Sequence, residues 1–212
     1  MKNCNDFKKL KAYFYNQSNV LSIASQLLGK VIVKKDEHNI LMARIVETEA
    51  YEGITDPASH AFQNKHTIRT STMYKAGGTA YVYLCYGMHR LFNIVTNKKG
   101  IPHAVLVRAV EPLNVDISIS NISKRKPGSG PALVSQCLGI EMHHNGISLI
   151  GDDFFVADDG YKVNSISVSP RIGVDYAGDA ALWPYRFFIT GHAYVSPHKL
   201  NRKADKKSAV IF

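Results

Sequence analysis

The chain has little cysteine, no long apolar run and fewer acidic than basic side chains. Its three cysteines, Cys4, Cys85 and Cys137, lie far apart and form neither a CxxC pair nor a disulfide framework. That argues against a disulfide-stapled secreted scaffold and favours a reducing compartment. No apolar stretch approaches the ~20 residues that span a bilayer. The opening MKNCNDFKKLKAYF has no apolar centre of the signal-peptide kind. A cytoplasmic protein with no membrane partner is therefore expected. No internal repeat or low-complexity segment marks a solenoid or a domain boundary, so residues 1–212 are read as one domain. Clustered metal ligands are also missing: Asp152-Asp153 and Asp158-Asp159 fall in hairpin-like sequence, and His143-His144 has no nearby partner motif. Neither a metal nor a cofactor is expected, which counts against a metal-dependent nuclease. With 26 Lys and Arg against 17 Asp and Glu, the formal charge of +9 would draw the chain toward polyanions, nucleic acid among them.

What is present reads as mixed secondary structure. Val20, Ile23, Ala24, Leu27 and Leu28 fall at helical spacing between a Ser18 or Asn19 cap and Gly29. Residues 31–35 and 41–51 are rich in β-branched side chains and predict a hairpin across a turn at Asp36 to Asn39. Residues 52–78 read as a long irregular segment, and loops of that length usually carry function. Strands are predicted over 80–86, 91–96 and 103–110, a helix over 132–138 behind Pro131, and a late strand over 186–190. Asp158-Asp159-Gly160 carries a hairpin signal within 147–168. Val115 to Ser123 alternates isoleucine and serine, and strand and helix stay open there. The basic end beyond Ser196 is expected to be solvated or disordered.

Two stretches carry chemistry. In RIVETEAY, residues 44–51, the side chains of Glu47, Glu49 and Tyr51 share one face of an extended strand. Paired carboxylates suit general base catalysis, although a solvated face with its acids ion-paired explains the same pattern. In YVYLCYG, residues 81–87, Tyr81 and Tyr83 share a face, with Tyr86 beyond them. Tyrosines suit stacking on nucleobases, while a tyrosine-rich core strand is the plainer account.

These stretches, together with SHAF at 59–62, TIRT at 67–70, LFNIV at 91–95, VLVRAVEP at 105–112, GSGPALVSQCLGI at 128–140, PRIGV at 170–174 and PYRFFITG at 184–191, resemble the alkyladenine, or 3-methyladenine, DNA glycosylase family in family order. The likeness runs from about residue 20 to 196, leaving 197–212 as a basic tail beyond the usual family end. One departure is Lys75-Ala76-Gly77-Gly78, where the family often has prolines.

The resemblance implies an α+β fold: a single domain with a curved, mainly antiparallel β-sheet, peripheral helices and a protruding DNA-intercalating hairpin. It implies a monofunctional glycosylase, acting as a monomer on double-stranded DNA, which flips alkylated or deaminated purines from the duplex and hydrolyses their bond to deoxyribose. Several lesions are expected to be accepted, 3-methyladenine foremost. On the family pattern Glu49 is the general base and Arg108 helps orient the water, with Glu47 supporting. Tyr51, His60 and Tyr83 form the base pocket, and Asn93 crowds the guanine amino group. Tyr86 fills the vacated stack, while Arg69 and Met73 meet the DNA strand. Outside the resemblance, His60 also reads as a core histidine, Asn93 as a core or turn amide, and Arg69 and Met73 as ordinary loop residues. A glycosylase with lyase activity needs an amine nucleophile, and no lysine occupies a matching position. A non-catalytic nucleic-acid-binding module is the alternative from a different class.

Overall fold

The computed structural model describes residues 7–36, 39–114 and 126–208, with the backbone alone for 205–208. Cys4 and the stretch Val115 to Ser123 lie outside the described residues. Ten strands are described: β1 (Lys8–Lys9), β2 (Val31–Lys35), β3 (Ile40–Tyr51), β4 (Ala80–Cys85), β5 (His89–Thr96), β6 (His103–Pro112), β7 (Phe154–Asp158), β8 (Ser165–Ser169), β9 (Arg186–Ile189) and β10 (Asp205–Ser208). The helices are α1 (Ala12–Tyr15), α2 (Val20–Gln26) and α3 (Pro131–Cys137), joined by several short 3-10 turns. All strand pairs are antiparallel. This is the α+β arrangement expected.

The sheet runs β1-β7-β2-β3-β6-β5-β4 and branches at β3, which also pairs with β9; β8 and β10 continue from there. The branch has a local cause. β2 covers β3 from Ile40 to Arg44, and β9 takes over the same edge from Glu47 to Glu49. The register with β6 shifts between Ile45 and Thr48, at the changeover. A bulge bends and twists a strand and re-aims its side chains. Glu47 and Glu49 sit at this bend.

The helices form where the sequence lets them. Asn19 Oδ1 accepts the N–H groups of Leu21 and Ser22 at 3.0 Å each, capping α2. After the helix a short turn ends at Gly29, whose φ of +82° is left-handed, and whose N–H donates to Ile45 C=O at 2.8 Å. A β-carbon there would stand 2.8 Å from Val163 Cγ2. α2 packs on β3, and α3 packs on β5 and β6. Between helices and sheet, Val46, Ala50, Phe92, Ile94, Val107, Leu138, Phe154 and Phe187 form the main core. The middle of β3 is thus covered over by packed elements.

Two expectations are corrected. Asp158-Asp159-Gly160 does not join a hairpin, because β7 pairs with β1 and β2 while β8 pairs with β9 and β10. Arg44 grips Asp159 with two bonds of 2.9 Å and stacks on Tyr161, holding the chain at the turn as it leaves β7. The basic end is not simply solvated. Residues Lys199–Lys203 make a 3-10 turn and β10 extends the sheet beside β8. The reason lies partly in Ser196, which is tied to Glu47 and anchors the start of this segment. Among the described residues no helix is long and apolar enough to cross a membrane.

Candidate active site

β3 supplies both carboxylates, and neither is solvated: Glu47 and Glu49 are both 0% exposed. Burying a charge is costly unless it is paired and hydrogen-bonded, and the two acids are satisfied differently. Glu47 accepts from Arg186 Nε at 2.7 Å, Ser196 N–H at 2.8 Å and Ser196 Oγ at 2.9 Å. Arg186 is itself fully buried and also donates to Ser169 Oγ and Asn201 Oδ1. Glu47 is therefore committed to holding three segments together. Glu49 accepts from Ile172 N–H at 2.9 Å on one oxygen and from the Tyr51 hydroxyl at 3.0 Å on the other.

Arg108, on β6, joins the two. Its Nε lies 3.0 Å from Glu47 Oε1 and its Nη1 3.5 Å from Glu49 Oε1. Burial opposes its charge, but the carboxylates of Glu49 and Glu47 outweigh burial and raise its pKa. Glu49 thus keeps fewer close donors than Glu47, and is the acid of the pair with capacity left for a ligand.

The irregular segment 52–78 and β4 bring an aromatic group to the same neighbourhood. His60 Nδ1 lies 2.9 Å from the Tyr81 hydroxyl, and its ring meets Tyr83 edge-on with centroids 4.7 Å apart. Tyr81 and Tyr83 are 5.4 Å apart, ring to ring. Arg69 approaches His60 Nε2 at 3.1 Å and lays its guanidinium over Tyr83, 4.5 Å from the ring centre. An arginine can only donate, so Nε2 accepts, and a neutral His60 carries its proton on Nδ1 and donates to Tyr81. Burial first, then the charges of Arg69 and Lys65, lower the His60 pKa to about 4. Burial pushes Tyr81 up to about 12. It also raises the pKa of Tyr83, and Tyr51 is raised by burial and then by the charge of Glu49.

Of the other residues singled out in the sequence, Met73 and Asn93 lie against Tyr81, and Tyr86 lies apart. Met73 is 2% exposed and packs with Ala61, Tyr81, Val95 and Ala104, beside the aromatic group. Asn93 is buried, its amide donating to Tyr81 C=O and Leu91 C=O. Tyr86 stands apart at the β4–β5 turn, 89% exposed. Its φ of +51° precedes Gly87 at +70°, and Met88 N–H closes the turn on Cys85 C=O at 3.2 Å. A bulky residue held left-handed is uncommon and marks strain of the kind found at functional sites.

Residue-by-residue reading missed a second buried ion pair, Asp56 with Arg171, both side chains 0% exposed. Arg171 Nη2 donates to Asp56 Oδ1 at 2.8 Å, Nη1 donates to Ala50 C=O, and the guanidinium lies over Tyr51, 4.8 Å from the ring centre. It thereby fixes Tyr51 and the 170–174 segment whose Ile172 N–H holds Glu49. The PRIGV block was the available signal, but no spacing rule connects it to Asp56. Among the described residues no group of three or more His, Cys, Asp or Glu is placed to hold a metal ion.

A buried carboxylate with an arginine beside it, next to tyrosines and a neutral histidine on a basic chain, is an arrangement suited to hydrolysis of an aromatic substrate carried on a polyanion. The methylpurine-DNA glycosylase model matches residues 13–193. A relative in Bdellovibrio bacteriovorus, named "Putative 3-methyladenine DNA glycosylase", is 44% identical over 188 residues, covering 86% of this chain and 96% of that protein. Relatives of the same name occur in Desulfitobacterium hafniense, 39% identical with 89% and 98% covered, and in Borreliella afzelii, 40% identical with 87% and 97% covered. The chain belongs to the methylpurine-DNA glycosylase family. It is a DNA glycosylase of DNA repair, a hydrolase acting on N-glycosyl bonds.

Proposed function

We propose that this chain, as a monomer, flips alkylated or deaminated purines, among them 3-methyladenine, 7-methylguanine, hypoxanthine and ethenoadenine, out of duplex DNA and hydrolyses the N-glycosidic bond to leave an abasic site. The observation that carries the reading is Glu49: a fully buried carboxylate held by Ile172 N–H and Tyr51 Oη, with Arg108 alongside. In the reaction a water attacks C1′ on the face opposite the base. Its proton passes to Glu49, and the bonding electrons leave with the purine. The charge of Glu49 also favours the positive charge that develops on the sugar. Arg108 helps orient the water. Glu47 is a supporting residue that keeps Arg108 in place.

Water reaches C1′ only after the base has left the stack, and unstacking is cheapest for a damaged, poorly paired nucleotide. Tyr51, His60 and Tyr83 receive the purine, and Asn93 crowds the guanine amino group. Tyr86, exposed at the end of its hairpin, occupies the gap in the duplex as wedge side chains do. The relatives' names support 3-methyladenine as one accepted base. The test is release of free base from duplexes containing 3-methyladenine or hypoxanthine. Tight lesion binding with no base released would make the chain a non-catalytic binding module.

A further inference from the structure

We infer that Arg69 is a specificity-determining residue that favours purines uncharged as nucleosides, such as hypoxanthine and ethenoadenine, over purines made cationic by alkylation at N3 or N7. The inference rests on the function proposed above. Charge accounting at the site motivates it. Arg108 and Arg186 face Glu47 and Glu49, and Arg171 faces Asp56, so each of these cations has a carboxylate partner. Among the described residues no carboxylate pairs with Arg69. Its guanidinium instead lies 4.5 Å from the centre of the Tyr83 ring and donates to His60 Nε2 at 3.1 Å. One uncompensated positive charge therefore sits on the aromatic wall that would receive the base.

Two effects of that charge act in the same direction. A purine alkylated at a ring nitrogen is a cation while still attached to the sugar, and a nearby like charge opposes its entry. When its bond to C1′ breaks, this purine leaves neutral. A neutral purine takes the same bonding electron pair but leaves as an anion, and a fixed cation beside it stabilises the negative charge that develops. Arg69 thus penalises the cationic ground state and assists the anionic leaving group. Its hydrogen bond to His60 also keeps that imidazole neutral, so His60 adds no second cation beside Arg69.

The experiment compares single-turnover base release from two duplexes, one with 7-methylguanine and one with hypoxanthine, for the unaltered protein, Arg69→Gln and Arg69→Lys. Glutamine keeps a donor for His60 and loses the charge; lysine keeps the charge and loses the planar stack. Arg69→Gln is expected to raise the 7-methylguanine to hypoxanthine rate ratio about fivefold or more, and Arg69→Lys to leave it within about twofold. An unchanged ratio in Arg69→Gln overturns the inference. So does an equal loss on both lesions with a matching loss of affinity for undamaged duplex, which would make Arg69 a phosphate contact. Melting temperatures of both variants confirm that folded proteins are compared. If the unaltered protein releases neither base, the parent reading of the site fails, and that result is distinct from an unchanged ratio.

Discussion

Tyr51 and Glu49 are hydrogen-bonded to each other, the phenol donating to the carboxylate at 3.0 Å. The ring proposed to stack on the purine therefore also holds the group proposed to activate water, and base binding and chemistry share a contact. Tyr51→Phe keeps the stacking surface and removes this donor. Single-turnover excision is expected to fall about tenfold, the scale of one hydrogen bond to a charged group, with lesion affinity changed less than threefold. Equal losses in both would assign Tyr51 to binding alone.

Glu47 should behave differently from Glu49. Its carboxylate is shared by Arg186, Arg108 and Ser196, all inside the fold. Glu47→Gln leaves Arg186 buried without its counter-charge, a loss of about 3–5 kcal/mol for a broken buried pair. Thermal and denaturant unfolding are expected to show it, while excision per folded molecule falls far less than in Glu49→Gln. An unaltered melting temperature would deny Glu47 its bracing role.

His60 gives a pH signature. Its pKa of about 4 lies below the usual value, so between pH 6.5 and 4 the unfolded chain binds more protons at this residue than the folded one. Its contribution to stability is complete above pH 6.5 and is lost as pH falls through 4. NMR of the ring nitrogens is expected to show a neutral imidazole protonated on Nδ1, titrating near pH 4. A midpoint near 6.5 would contradict the buried, arginine-flanked environment.

Much of the fold was legible in the sequence. The α2 periodicity between Asn19 and Gly29 and the β-branched strands β2, β3 and β6 state their conformation locally. The failures were failures of pairing. Asp158-Asp159-Gly160 carries a turn signal, yet Arg44, 115 residues before Asp159, takes that turn for its own ion pair. The basic end looked unstructured because its anchor, Ser196 on Glu47, spans 149 residues. For the site, strand alternation placed Glu47, Glu49 and Tyr51 together, but the different surroundings of the two acids come from Ile172, Arg186 and Ser196, which local pattern does not reach. The resemblance proposed Arg69 as a DNA contact; its position over Tyr83 is visible only in three dimensions.

Tyr86 is the exposed aromatic at the β4–β5 turn, where its φ is left-handed. Tyr86→Ala is expected to weaken binding to lesion duplexes by roughly 1–3 kcal/mol, the cost of losing one stacking contact. Equilibrium binding to an ethenoadenine duplex measures it. Unchanged affinity and excision would remove Tyr86 from the wedge role.

The central claim is that Glu49 is the general base, and Glu49→Gln tests it with the least change of shape. Single-turnover base release and equilibrium affinity are measured on the same ethenoadenine duplex. Release is expected to fall by about a hundredfold to ten-thousandfold. Binding should persist, because the aromatic pocket, Tyr86 and the attraction of a +9 chain for DNA remain. Near-normal release in Glu49→Gln, with collapse in Glu47→Gln, would contradict the account by giving the chemistry to the other carboxylate.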